Sequence, residues 1–559
     1  SKENLAIAQI TIASSVISLI TDVRLIIKNN ERQLPSRVDS GRYGFGQFEN
    51  LTSAATYADT ISSIAKSKTE IVSAYVETNA ISILTETVAY GDVTFNSTLL
   101  ISNQATFEVY GTATFLGDVT LGSGATLILH STADFLTNLI LGSLSKFKFD
   151  KDVNLRNITM SGNYSSITGA NSQPSLIFAG TQTGIIISGA YAIIESVRLS
   201  MPDVAFSLVS ITSTGQNPYF EAVFFAQDYS PINETNWAVN ARAGIRLNST
   251  TAIDGLKAIN CEFYNLSIAI SGEDGTTAAP HTSFTNMIVD KCKFTYCGAG
   301  IYIESGENIL VANSYFYKLK TQCIKVPNIV ANTIKNVIIT NCIFESFSTT
   351  STALSVIDIL AGNDNFVITS NIFRDITTSG SIIVLNGSPD GCIVSDNLIT
   401  GCTTTSYAII SNAPSSLNIN DNMLLGHTGP VLSASNAMVS GNTFISTHTV
   451  GGSVPVVIGS IGAGAATVCV WNNNRFSLTT NQQITLGSFQ FSNNTVLASH
   501  IVLNDSIATS GFNISNNTLI LDGVVATSLS LFTAATTTVQ NRVSNNIIKP
   551  SSTVSSIFI

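Results

Sequence analysis

A six-residue phrase recurs along the second half of this chain: an apolar residue, two of any kind, Asn or Cys, one of any kind, then Phe or an aliphatic residue. It reads IleThrSerAsnIlePhe at 368–373, ValSerGlyAsnThrPhe at 439–444 and IleSerAsnAsnThrLeu at 514–519. Its fourth position falls at Cys261, Cys292, Ser314, Cys342, Asn371, Asn397, Asn422, Asn442, Asn474, Asn494, Asn517 and Asn546, with gaps of 20 to 32 residues. Self-similarity at such a period marks a stacked repeat, in which each unit buries its apolar face against its neighbours.

The residue three before the key position is Val, Ile, Phe or Trp in eleven of the twelve copies, Ala258 being the exception. Two residues after it come Phe263, Phe294, Phe316, Phe344, Phe373, Ile399, Leu424, Phe444, Phe476, Val496, Leu519 and Ile548. β-Branched and aromatic residues suit a pleated, half-buried surface. The gaps are too short for a strand plus a packed helix, yet they fit a coil of two or three short strands. Asn tolerates a left-handed backbone and bonds neighbouring backbone groups. The phrase therefore predicts an Asn at a fixed bend, stacked on the Asn of the next coil, with apolar side chains inward on either side. Loops of varying length would leave the other corners.

This pattern resembles the right-handed parallel β-helix of the pectate-lyase-like superfamily. The resemblance spans roughly 255–550 and is weaker from 90 to 250, where short β-rich runs such as AlaThrPheLeuGlyAspValThrLeu at 113–121 carry it. The expected fold class is all-β: a parallel β-helix over 79–559 behind a short α-helical head.

Two seams suggest that head. Ala13, Val16, Ile20, Val23 and Ile27 alternate spacings of three and four, as do Tyr57, Ile61, Ile64, Lys68, Ile71 and Tyr75. Such spacing predicts helices in a bundle or coiled coil, and Ile at core positions favours three or more strands. Residues 1–50 are thus expected to form an attachment head and linker, and 51–78 a coiled-coil-like segment. The stretch at 4–20 is uncharged but dotted with Gln, Thr and Ser, so no membrane span is predicted.

Charged residues make up only 11% of the chain, the net charge is -10, and no basic run occurs. That balance excludes a nucleic-acid partner. The eight Cys include no CxxC pair and the five His are scattered, so neither a disulfide framework, a metal site nor a cofactor is expected.

A helical head followed by a long polar β-solenoid resembles viral tailspikes and tail fibres. The resemblance implies a homotrimer at the virion surface, outside the cell. Its head would dock on tail or baseplate proteins, and its solenoid would meet a host surface polysaccharide. Enzymes of the same fold imply the alternative, an endo-glycosidase or lyase that degrades the glycan; a structural surface protein without ligand is the third class. The GlyHisGly and ArgIleLys motifs of polygalacturonases are absent, GlyHisThrGly at 426–429 coming nearest. Glycoside hydrolysis needs two carboxyl groups flanking the scissile bond. Residues 217–237 supply Glu221, Asp228 and Glu234 as candidate catalytic acids, among Tyr219, Tyr229 and Trp237 as candidate sugar-stacking rings.

Overall fold

The computed structural model describes residues 10–13, 16–20 and 69–558, apart from 171, 180–183, 202–206, 228–242, 250, 273–282, 327–333, 348–353, 361–363, 387–390, 413–415, 435–436, 447–456, 460–468, 479–482, 487–488, 499, 506–512, 522–526, 534–541 and 551–553. Every described element is a β-strand. The chain divides into two compact units, Ser1–Leu199 and Ser200–Ile559.

In the first unit, Ile10–Ala13 pairs antiparallel with Val16–Ile20, Ile10 facing Ile20. A helix was the expectation here. The β-branched run of Ile, Thr and Val is stiff at χ1 and favours the extended chain. The second seam also ends in strands, Thr69–Ile71 and Tyr75–Glu77. Strands of three residues joined by three-residue turns place inward residues three and four apart, which mimics helical spacing. Ile71 and Tyr75 accordingly lie in the solenoid core, while Tyr57, Ile61, Ile64, Lys68, Val23 and Ile27 fall outside the described residues.

From there the coil length settles at twenty residues. Val93–Phe95 pairs in parallel with Ala113–Phe115, which pairs with the start of Ala133–Leu141. Thr106–Val109, Thr126–Leu129 and Lys146–Phe149 align in the same register on another side. Phe95, Phe115 and Phe135 stack inside, with ring centroids 5.5 and 4.4 Å apart. The stacking also dictates small residues outside: a Cβ on Gly111 would lie 2.4 Å from the carbonyl carbon of Gly91. In the first described coil of this core Glu77 occupies the register of Phe95, takes the Tyr75 hydroxyl at 2.5 Å and accepts the Thr78 and Asn79 amides, so its buried carboxylate is hydrogen-bonded.

In the second unit the coils are built on three strands, as in Ile288–Asp290, Lys293–Thr295 and Ala299–Tyr302, all pairing in parallel with their counterparts, and some coils add a short strand such as Thr377–Thr378 or Thr403–Thr404. This is a parallel β-helix. Phe225, Phe263, Phe294, Phe316, Phe344 and Phe373 stack in one column on the second strands, with centroids between 4.5 and 4.9 Å apart. The Asn ladder sits between the first and second strands. Asn371, Asn397, Asn422, Asn442, Asn474, Asn494 and Asn517 are all buried, and each donates its amide Nδ2 to Oδ1 of the next over 2.8–3.2 Å.

One detail differs from the expectation. The left-handed residue is the one before each ladder Asn: Ser370, Asp396, Asp421, Gly441, Asn473, Asn493, Asn516 and Asn545 have φ between 54° and 70°. The bend is made one residue early, which turns the ladder side chain inward. Cys261, Cys292 and Cys342 fill the same position and donate Sγ–H to carbonyls such as Ala258 O, 3.2 Å from Cys292. All eight cysteines are buried.

Candidate functional site

Of the six residues that sequence singled out, Tyr219 and Glu221 lie on a first strand, Tyr219–Glu221. They are half-buried, and the Tyr219 hydroxyl donates to Glu221 Oε2 at 2.7 Å. In register beside them stand Lys257 and Ile259, so no second carboxylate faces Glu221 across this pairing. Asp228, Glu234, Tyr229 and Trp237 fall outside the described residues. Within the same stretch Phe220 and Phe225 are fully buried core, whereas Phe224 faces outward and stacks on Tyr264 with centroids 6.3 Å apart.

Phe224 opens a larger surface that sequence reading missed. On the second strands from Phe224–Gln227 to Ile372–Arg374 an inward Phe stands between two neighbours that must point outward. Along the coils those outward positions form two columns. One runs Glu262, Lys293, Tyr315, Ile343 and Ile372, the other Tyr264, Thr295, Tyr317, Glu345 and Arg374. Tyr296 and Lys318 follow at the adjoining left-handed corner, with φ of 55° and 53°. The rings form a band. Tyr264 meets Tyr296 edge-to-face at 5.9 Å, Tyr296 meets Tyr317 likewise at 5.9 Å, and Tyr315 stacks on Tyr317 at 5.8 Å. Tyr264 and Tyr296 are 38% and 39% exposed, high enough to offer ring surface to a ligand. The signal was present in the triplets GluPheTyr at 262–264, LysPheThr at 293–295 and TyrPheTyr at 315–317.

The charges of this face are arranged around the rings. Lys293 Nζ pairs with Glu262 Oε1 at 2.8 Å, and Arg374 Nη2 with Glu345 Oε2 at 2.5 Å. The Tyr315 hydroxyl also donates to Glu345 Oε2, at 2.7 Å. That bond, and then the Arg374 guanidinium, hold the Glu345 carboxyl below its usual range. Burial, reinforced by Glu345, pushes the Tyr315 phenol up to about 12. Lys318 Nζ lies 5.5 Å from the Tyr296 ring centroid and 5.1 Å from that of Tyr317.

Around the corner, the third strands carry an outward column of Ser271, Tyr302, Lys325 and Asp358. Lys325 Nζ sits 5.3 Å from the Tyr302 centroid. Asp358 is buried, and burial raises its pKa against the opposing pull of Lys325 and of a Gln322 side-chain hydrogen bond. Glu345 and Asp358 belong to one coil but to the outer faces of different strands.

Thiol chemistry fits poorly. Burial pushes the thiols of Cys297, Cys342 and Cys402 up to about 12, which keeps them protonated and poor nucleophiles. Among the described residues no group of three His, Cys, Asp or Glu is placed to hold a metal ion.

A family profile described as a right-handed β-helix region matches residues 243–444, which include this face. No curated protein matches the chain. Among solved structures the chain is similar to the tailspike protein of E. coli bacteriophage HK620 in complex with a pentasaccharide, at 13% identity and a TM-score of 0.31, over 77% of this chain and 72% of that one. A single-residue mutant of that tailspike with pentasaccharide gives 13% identity and a TM-score of 0.32 over the same shares.

Proposed function

We propose that this chain is the glycan-binding shaft of a viral tailspike or tail fibre, which attaches a virion to a polysaccharide on its host's surface. The observation that carries the reading is the band of Tyr264, Tyr296, Tyr315 and Tyr317 on the outer face of the second strands, edged by Glu262, Lys293, Lys318, Glu345 and Arg374. Aromatic rings offer flat apolar area at little entropic cost, and the charged groups around them suit sugar hydroxyls. The tailspike to which the chain is similar is in complex with a pentasaccharide. The reading rests on the rings and charges of this chain rather than on that likeness. Solenoid spikes of this kind work as homotrimers docked on tail or baseplate proteins through their amino-terminal segment, and that assembly is part of the proposal. Among the described residues no helix is long and apolar enough to cross a membrane.

A second reading, an endo-glycosidase or lyase, draws on Asp358: a buried carboxyl with a raised pKa is the form a general acid takes. Glu221, Asp228 and Glu234 remain its other candidate acids, with Tyr219, Tyr229 and Trp237 as rings beside them. The test is incubation of the purified chain with polysaccharide from candidate host cells, followed by measurement of retained polymer and of new reducing ends. Retention without new ends supports the binding shaft; new ends that disappear in Asp358→Asn support the enzyme. Absence of both overturns the two readings and leaves a structural surface protein.

A further inference from the structure

We infer that the glycan is anionic, and that Lys318 on the faces of Tyr296 and Tyr317 is the side chain that meets its negative charge. The inference rests on the glycan-binding reading of this face and adds the charge class of the ligand.

Charge is distributed against the chain's overall balance. The chain carries a net -10, yet from Lys291 to Lys325 it holds five lysines, Lys291, Lys293, Lys318, Lys320 and Lys325, against only Glu304 and Glu307. On the second-strand face the two carboxylates are already occupied, Glu262 by Lys293 and Glu345 by Arg374. They therefore repel an incoming anion weakly. No carboxylate among the described residues pairs with Lys318, whose ammonium rests on two phenol rings instead. A ring face steadies a cation without neutralising it, so the charge stays available to a third partner.

Lys318 and Tyr296 occupy the same left-handed corner in successive coils, which sets the ammonium beside the ring. Lys acts as a compact point charge rather than a planar fork, and so suits a carboxylate, sulfate or phosphate on a flexible polymer. Lys325, on the ring of Tyr302 one strand further on, faces Asp358 in register, which leaves Lys318 as the cation without a carboxylate beside it among the described residues.

The experiment uses the full chain on an array of immobilised polysaccharides that includes colominic acid (carboxylate), chondroitin sulfate (sulfate and carboxylate), a teichoic acid (phosphate) and neutral dextran. Acidic polymers are expected to be retained and dextran not, with retention falling steeply from about 0.05 to 0.5 M salt as charges are screened. Lys318→Gln should weaken retention about ten-fold or more while the melting temperature holds, and Lys318→Arg should restore most of it. The retained acidic polymer identifies which anion is read. Retention of neutral polymers as strong as that of acidic ones, or acidic binding unchanged in Lys318→Gln, overturns the inference and leaves the glycan-binding reading standing. No retention of any polymer by the wild-type chain overturns both.

Discussion

Asn397 donates its side-chain amide to Oδ1 of Asn422 at 2.9 Å, and its backbone N–H reaches the same oxygen at 3.1 Å. Its remaining amide proton goes to Ile368 O at 2.9 Å. One buried side chain thus satisfies groups on coils both above and below it. The arrangement explains why the phrase is rigid while the loops between phrases vary: any residue that cannot repeat both bonds leaves buried polar groups unmet. Cys and Ser are tolerated where their neighbours still supply a partner, as when Cys342 N donates to Asn371 Oδ1 at 2.9 Å.

Replacing Asn422 by Ala should destabilise the second unit by about 1–3 kcal/mol, because the Asn397 amides and the Val394 carbonyl lose their partner in a dry interior. Asn546 is only half-buried, and its replacement should cost less. Hydrogen exchange read coil by coil distinguishes the two; equal protection loss at both sites contradicts a continuous ladder.

Packing gives a second expectation. Phe316 lies between Phe294 and Phe344, at 4.5 and 4.8 Å, and is 1% exposed. Phe316→Ala should cost about 3–5 kcal/mol, since neighbouring coils tied by backbone bonds cannot collapse into the space. Phe316→Leu should cost much less. Similar denaturation midpoints for Phe316→Ala and the wild type would place the core elsewhere.

How much of this was legible beforehand depends on what kind of signal each residue sends. The inward column of Phe263, Phe294, Phe316, Phe344 and Phe373 and the Asn ladder were readable because both recur at a fixed offset within one short phrase. The twenty-residue coil around Phe95, Phe115 and Phe135 was equally regular, but its key positions hold Gly, Ala and Val, types too common to stand out. The seam at Ile71 and Tyr75 read as helix because three-residue strands and turns reproduce spacings of three and four. The candidate site was harder still. Tyr264, Tyr296 and Tyr317 come together from three coils, and composition-based attention went to 217–237, where aromatic and acidic residues are dense in sequence rather than in space.

Acidity offers a check on Asp358. Its folded pKa is raised above the ordinary 3.8, chiefly by burial. A carboxyl shifted that way contributes stability that is complete below 3.8 and is lost as pH rises through the higher folded value. Above that folded value the ionised carboxyl stays buried at a net cost. Asp358→Asn should be more stable than the wild type at pH 7, with the difference shrinking as pH falls through the acid range. A variant less stable than the wild type at neutral pH would mean that the attraction to Lys325 outweighs burial.

The outer rings should behave oppositely to the inner ones. Tyr296 and Tyr317 meet edge-to-face on the exposed side of the strands, backed by Phe294 and Phe316 on the buried side, so removing either phenol opens no cavity in the core. Tyr296→Ala and Tyr317→Ala should each shift the melting temperature little, Ala keeping the same left-handed backbone cost at position 296. Each should nevertheless weaken polysaccharide retention about ten-fold, the worth of a stacked ring at a binding face, and the pair together should weaken it further because both rings support Lys318. Trp237→Ala and Tyr229→Ala serve as the comparison. If those two abolish retention while Tyr296→Ala and Tyr317→Ala leave it intact, the ligand sits at 217–237 and the second-strand face is only surface.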